Sequence, residues 1–337
     1  MAGKKVCVNC LNEVDAGVNY CPQCGSNEFS ESYVALIKKL KGEIASLRNQ
    51  IAVAQQPSKP TKAEIQEWSQ AAENYYFGRN GKPVDYGRAL EFARKAAEAG
   101  DACAQFRLGY LYSTGKGVPQ SYERAVEWYR RSAEQGYAWA QNNLGWYYEN
   151  GHAVLQSYER AVEWYLKAAN QGNPNAQVNL GLCYEEGRGV PQSYERAVEW
   201  YRKAAEQGDK IGQCNLGWCY AHGKGVEKSY DQAVLWYAKS AEQGYPRAQN
   251  NLGWCYEKGN GVLQSYVRAV EWYRKAADQG YSWAQYNLGI CYLNGLSVPQ
   301  SRETAIEWFR RAAENGHEEA RKKLIELGVD DDGCATK

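Results

Sequence analysis

Cys7 and Cys10 form one C-x-x-C pair and Cys21 and Cys24 a second, with ten residues between the pairs. Such a turn aims two thiolates at one point, and two turns together complete a tetrahedral all-cysteine shell for one zinc ion. Gly25, directly after the second pair, permits the tight turn because glycine takes positive φ without strain. Four thiolates leave no open coordination position, so the predicted role is structural and not catalytic. A reduced or disulfide-bonded cluster without metal is the competing reading. Other chemistry is sparse. His152, His222 and His317 are the only histidines and lie far apart, and no H-E-x-x-H motif or Ser or Cys nucleophile with a His partner is present. The stretch from Gly109 to Gly115-Lys116 is one residue too long for a phosphate loop, and Gly117 stands where Ser or Thr is required. The sequence therefore predicts a protein that is not an enzyme.

The elements that position these cysteines are small. Residues 1–30 cannot bury a core, so metal binding has to supply most of their folding energy. The insert between the pairs suits a small hairpin. The segment resembles the short zinc ribbons at the N-termini of many prokaryotic proteins. Residues 31–56 read as an amphipathic helix. Ile37, Ile44 and Ile51 recur every seven residues, and Tyr33, Leu40, Leu47 and Ala54 form a second heptad series offset by three. Ile at one core position and Leu at the other favours a parallel two-stranded coiled coil, with Glu43 and Arg48 placed for an interchain salt bridge. A homodimer through residues 33–54 is one expectation; a helix lying on its own chain is the other. Gly42 weakens the helix by about 1 kcal/mol. Pro57 and Pro60, with Ser58 and Lys59 between them, end it and mark 57–62 as a linker.

Composition separates the rest of the chain from ordinary domains. Of 337 residues, 27 are Tyr, 12 Trp and 33 Gly, against 5 Phe and one Met, a skew expected when one short sequence is repeated. Lys plus Arg number 40 and Asp plus Glu 39, so no gross basic excess favours nucleic acid or a membrane surface. Trp128, Trp164, Trp200, Trp236, Trp272 and Trp308 are spaced by 36 residues. So are Gly109, Gly145, Gly181, Gly217, Gly253 and Gly289, and so is the series from Gly136 to Gly316. A period of this size predicts a solenoid. The register extends back through Tyr86, Ala89, Phe92, Ala97 and Gly100, giving seven repeats over 63–316, the first degenerate. Residues 317–337 read as a capping helix, with Ala320 and Leu324 in phase, and an acidic tail.

Each repeat reads as two helices, A and B. In the second, Ala104, Leu108 and Tyr112 mark one face of helix A, and Gly115 to Gln120 break it. Ser121 is the expected N-cap of helix B, which carries Ala125, Trp128, Tyr129 and Ala133 inward. The Trp128 series reads as core. Gly109 sits mid-helix at a cost, and its recurrence predicts a close approach by a neighbouring backbone. Residues 180–208 carry Leu180-Gly181, Tyr184, Gly187, Gly189-Val190, Ala197-Val198-Glu199-Trp200-Tyr201 and Ala204-Ala205-Glu206-Gln207-Gly208. This pattern resembles the Sel1-like repeat family over about three-quarters of the chain. Glu73 departs from it where helix A has Gly, and His152-Ala153 departs from the Gly-Lys-Gly loop. The resemblance implies an all-α fold, a right-handed α/α superhelical solenoid, and a role as an adaptor or scaffold that holds other proteins.

If helix A buries Leu108 and Tyr112, the opposite stripe is Cys103, Arg107, Tyr110 and Thr114. Followed through the repeats, it places Asn143, Asn179, Asn215, Asn251 and Asn287 in one row. Trp146, Trp218 and Trp254 form a second row, and Trp139 and Trp283 belong to a third. The first helices of two-helix solenoids line the concave surface. The expectation is a groove for a peptide or protein, in which Asn bonds an extended backbone and Trp anchors side chains. Packing between adjacent A helices is the competing reading.

Cys183, Cys219, Cys255 and Cys291 also recur at 36. Their expected separation of about 10 Å in stacked repeats exceeds disulfide reach, so they read as small buried apolar residues. The N-terminus lacks an apolar signal segment, and no apolar run approaches the roughly 18 residues a membrane helix needs. The chain is expected to be cytoplasmic, with no membrane association. A nucleic-acid-associated regulator acting through the ribbon and Lys4, Lys5, Lys38, Lys39 and Lys41 is the alternative function, though nucleic acid is the less favoured partner.

Overall fold

The computed structural model describes residues 4–7, 9–10, 12–15, 17–24, 26–27, 29–54 and 59–329, with the backbone course alone at 6, 29–37 and 51–54. Gly25, Pro57, Ser58 and the tail from residue 330, including Cys334, lie outside the described residues. The chain forms two compact units, residues 1–61 and 62–337.

The first unit opens with β1 (Lys4–Cys7), β2 (Glu13–Asp15) and β3 (Phe29–Ser30). They form an antiparallel sheet of order β2-β1-β3, with Lys5 opposite Val14 and Cys7 opposite Phe29. Its core is Cys7, Val14 and Cys21, bordered by Cys10 and Val18. Helix α1 (Glu31–Ala54) follows β3 directly. Leu40, Ile44 and Leu47 stand exposed along it. The side chains of Tyr33, Ile37, Ile51 and Ala54, the remaining heptad positions, lie outside the described residues.

The second unit is helical. Its elements are α2 (Lys62–Phe77), α3 (Tyr86–Glu98), α4 (Ala102–Thr114), α5 (Tyr122–Glu134), α6 (Ala138–Asn150), α7 (Tyr158–Asn170), α8 (Pro174–Glu186) and α9 (Tyr194–Glu206). It continues with α10 (Lys210–His222), α11 (Tyr230–Glu242), α12 (Pro246–Lys258), α13 (Tyr266–Ala277), α14 (Ser282–Asn294), α15 (Arg302–Glu314) and α16 (Glu318–Glu326). Each packs on the next in chain order, the nearest-neighbour arrangement of an α/α solenoid. The boundaries have local causes. Ser121, Ser157, Ser193, Ser229, Ser265 and Ser301 N-cap the B helices, each accepting from the N–H three residues on. The A helices from α4 to α14 end on left-handed glycines, such as Gly187 at φ 72°.

The recurring mid-helix glycine has a definite reason. A Cβ on Gly109 would stand 2.9 Å from the Tyr129 ring and 3.2 Å from the Ala125 carbonyl oxygen, both on helix B of the same repeat. The expected close approach is thus made first by an aromatic ring and second by backbone. The first repeat obeys the same rule in reverse. Ala93 stands where the other repeats have Tyr or Phe, so Glu73 fits where they need Gly.

One expectation about the core is corrected. The Trp128 series is not the centre of helix B. Only Trp200 and Trp236 are buried; Trp128, Trp164, Trp272 and Trp308 are half-buried at the cluster edge. The next residue along is the core anchor: Tyr129, Tyr165, Tyr201, Tyr237, Tyr273 and Phe309 are all buried. Each Trp instead carries a cation on its face, from Lys203 at 3.8 Å over Trp200 to Arg311 at 4.7 Å over Trp308. The outward position suits a large ring that keeps a cation wet.

A buried amide ladder ties repeat to repeat. Gln141 and Gln177 donate to the Ala133 and Ala169 carbonyls at the end of the preceding B helix. Their side-chain oxygens accept from Gln171 and Gln207, at 2.8 and 2.7 Å. The same pattern runs from Gln105 to Gln285, where Asn315 closes it. Buried amides are costly unless paired, so this ladder makes the inter-repeat geometry specific.

Candidate functional site

The turns at Cys7–Cys10 and Cys21–Cys24 bring four sulfurs within 4.8 Å of one another. Cys7 Sγ lies 3.4 Å from Cys24 Sγ, and Cys10 Sγ 3.4 Å from Cys21 Sγ. A tetrahedral zinc site with Zn–S bonds of about 2.3 Å has sulfurs about 3.8 Å apart, so the spacing fits that donor set. Burial pushes the Cys7 thiol up, but backbone N–H groups of Cys10 and Asn9 and the Cys24 side chain bring it down to about 6. Cys24 is pushed up to about 12: the Ser26 N–H lowers it, and Cys7, burial and the other thiols outweigh that. Four thiolates this close would repel one another, and a divalent cation would remove that repulsion. The arrangement is compatible with a metal site.

The stripe residues lie on the A helices, and four of its tryptophans are open to solvent: Trp139 at 43%, Trp146 at 41%, Trp254 at 37% and Trp283 at 56%. Trp218 is half-buried. Asn143, Asn179, Asn251 and Asn287 are half-buried and Asn215 is buried. Part of this amide row is engaged within the protein. Asn179 donates to Asn142 at 3.1 Å and Asn287 to Asn250 at 2.9 Å, bracing adjacent A helices. At the N-terminal end a cavity of about 490 Å³ is lined from four successive A helices, by Tyr76, Arg107, Tyr110, Trp139, Asn143 and Asn175 among others. Arg107 there is only 8% exposed, pairs with Glu73 at 2.6 Å and lies 4.8 Å from the Tyr76 ring centre.

The three histidines prove to share an environment. His152 packs on Trp146 at 5.2 Å between ring centres, His222 on Trp218 at 4.6 Å and His317 on Trp283 at 4.5 Å. Trp218 and His222 are four residues apart on α10, and His152 lies just past the end of α6 from Trp146, so helical spacing could have found these two pairs; only the Trp283–His317 contact joins different repeats. Cys183, Cys219, Cys255 and Cys291 are buried free thiols, which burial pushes up to about 12. They are unreactive apolar packing.

The family model described as the Sel1 repeat matches seven times, at residues 70–101, 104–137, 140–173, 174–209, 211–245, 246–281 and 284–317. The chain belongs to the Sel1 repeat family. A protective antigen of uropathogenic Escherichia coli strains displaying an SLR fold is 37% identical, with a TM-score of 0.67 over 79% of this chain. The match spans 58% of that antigen's length. A Sel1 repeat protein from Oxalobacter formigenes is 34% identical, with a TM-score of 0.67 over 73% of this chain and 96% of that one. Among curated proteins nothing matches the chain. Sel1 repeats typically serve as non-enzymatic protein-interaction scaffolds. No helix among the described residues is long and apolar enough to cross a membrane.

Proposed function

We propose that this Sel1 repeat protein is a cytoplasmic, non-enzymatic adaptor that binds an extended peptide or protein segment along the groove of its A helices. The observation that carries the reading is the set of solvent-open tryptophans on the A helices, Trp146 and Trp254 from one row of the stripe and Trp139 and Trp283 from another. Several large rings exposed on one set of helices are unusual on a monomer and supply anchoring area at interfaces. Trp146→Ala, Trp218→Ala and Trp254→Ala combined in one chain should remove its prominent partner from a native-lysate pull-down while circular dichroism stays helical. Retention of the same partners would assign the tryptophans to packing.

In this reading residues 1–30 form a ribbon around one structural zinc ion held by Cys7, Cys10, Cys21 and Cys24. Helix α1 pairs with a second copy. Leu40, Ile44 and Leu47 form a stripe in water, and Glu43 and Arg48 flank it with the complementary charges a parallel pair uses. Pairing would present two grooves and raise avidity. Sedimentation equilibrium should give twice 38.0 kDa for the wild type and 38.0 kDa for Leu40→Lys with Leu47→Lys. A monomeric wild type would reject the pairing.

A further inference from the structure

Among the described residues, Arg247 is a half-buried guanidinium of the groove that has no counter-charge. In the row that contains Trp139, Asn175, Ile211 and Trp283, the repeat of α12 has Arg247. It is half-buried, and its Nη1 donates to Asn215 Oδ1 at 3.4 Å. Among the described residues no carboxylate oxygen lies within ion-pair distance of it. The groups that act on it most are the Cys214 thiol and the Tyr245, Tyr281 and Tyr237 phenols, all neutral at pH 7. Other inward-facing arginines are treated differently. Arg107 has Glu73, and Arg188 has Glu149 and Glu186.

Leaving a half-buried cation unpaired costs free energy. Arg247 also sits in the first turn of α12, where the helix dipole disfavours positive charge. A weak bond to Asn215 and one to the Tyr245 hydroxyl leave donors of the planar fork available to a carboxylate. Around it, Ile211 and Trp283 occupy the equivalent positions one repeat either side, and Trp254 stands on the same helix.

We infer that Arg247 reads an acidic side chain of the partner, an extended peptide carrying one Asp or Glu flanked by large apolar residues that rest on Trp254 and Trp283. The inference rests on the groove-binding reading above and adds the partner's chemistry to it. The test is a selection from a display library of random dodecapeptides against the full chain, its Arg247→Gln and Arg247→Lys variants, and the Trp218→Ala/Trp254→Ala variant. Each variant is first checked for an unchanged thermal midpoint. The wild-type pool should be enriched in an acidic residue between apolar ones. Changing that residue to Asn or Gln in a selected peptide should weaken binding about tenfold to a hundredfold. The same change should have no effect on Arg247→Gln and an intermediate one on Arg247→Lys. A pool that needs Trp218 and Trp254 but has no acidic preference overturns this inference and leaves the groove reading standing, as does an acidic preference undiminished in Arg247→Gln. A pool indifferent to the tryptophans, or no enrichment at all, overturns the groove reading and this inference with it.

Discussion

At Gly145 a single methyl group would meet a ring that cannot yield. A Cβ there would stand 2.7 Å from Cδ1 and Cε1 of Tyr165. That ring is fully buried, and its hydroxyl donates to Glu149 at 2.5 Å. Two effects compete in Gly145→Ala. Helix propensity gains about 1 kcal/mol, and overpacking a tight core costs about 1–3 kcal/mol. Because both ends of the tyrosine are held, the clash should win. The urea midpoint of the helical array is expected to fall, by about 1–2 kcal/mol of stability at most. Gly42→Ala is the contrast, since nothing lies within 4 Å of a Cβ there; it should gain helicity without penalty. A raised midpoint for Gly145→Ala would show that Tyr165 moves freely.

At the scale of elements, the array ends on α16, and one titratable cap holds it. His317 Nδ1 accepts the Ala320 N–H at 3.2 Å. Its ring lies between Trp283 and Tyr286, stacked on the latter at 4.7 Å. Burial lowers its pKa from the ordinary 6.5, against an upward pull from Glu319. The unfolded chain therefore takes up this proton first as the pH falls. The stability it contributes is fully present above 6.5 and is lost as the pH drops through the folded value. A protonated Nδ1 also cannot accept, so the cap itself is lost. Amide exchange in α16, corrected for intrinsic chemistry, should quicken from pH 7.5 to pH 5, and His317→Asn, a cap that does not titrate, should abolish the change. Equal pH dependence in that variant would point to another group.

For the molecule as a whole, the two compact units have very different means of support. The array buries a core through every repeat, whereas the core of the first unit, among the described residues, is Cys7, Val14 and Cys21. If a metal ion is held by the four cysteines, its binding would help offset the entropy of ordering the strands. A zinc chelator should release one equivalent per chain and strip exchange protection from the amides of β1 and β2, residues 4–7 and 13–15. Absence of metal after careful purification, or strands that stay protected without it, would reject the zinc site.

Much of this was readable from residue order. The 36-residue period specifies the repeat number, the serine caps and the glycine stops, because those depend on neighbours within a few positions. The paired C-x-x-C turns named a plausible ligand set for the same reason. Helical spacing predicts the Trp and Asn stripe on the face away from Leu108; Trp139, Trp146, Trp254 and Trp283 are exposed there, whereas Asn215 is buried and Trp218 half-buried. What the order of residues left open was decided between helices. Trp128 and Tyr129 are adjacent and both large, and only the gap over Gly109 makes the tyrosine the core anchor. The Gln ladder, the packing of His317 on Trp283 and Tyr286 and the missing counter-charge at Arg247 arise from groups brought together across helices and repeats. A local period sets the angle at which a side chain leaves its own helix; what it meets there is settled when the helices pack.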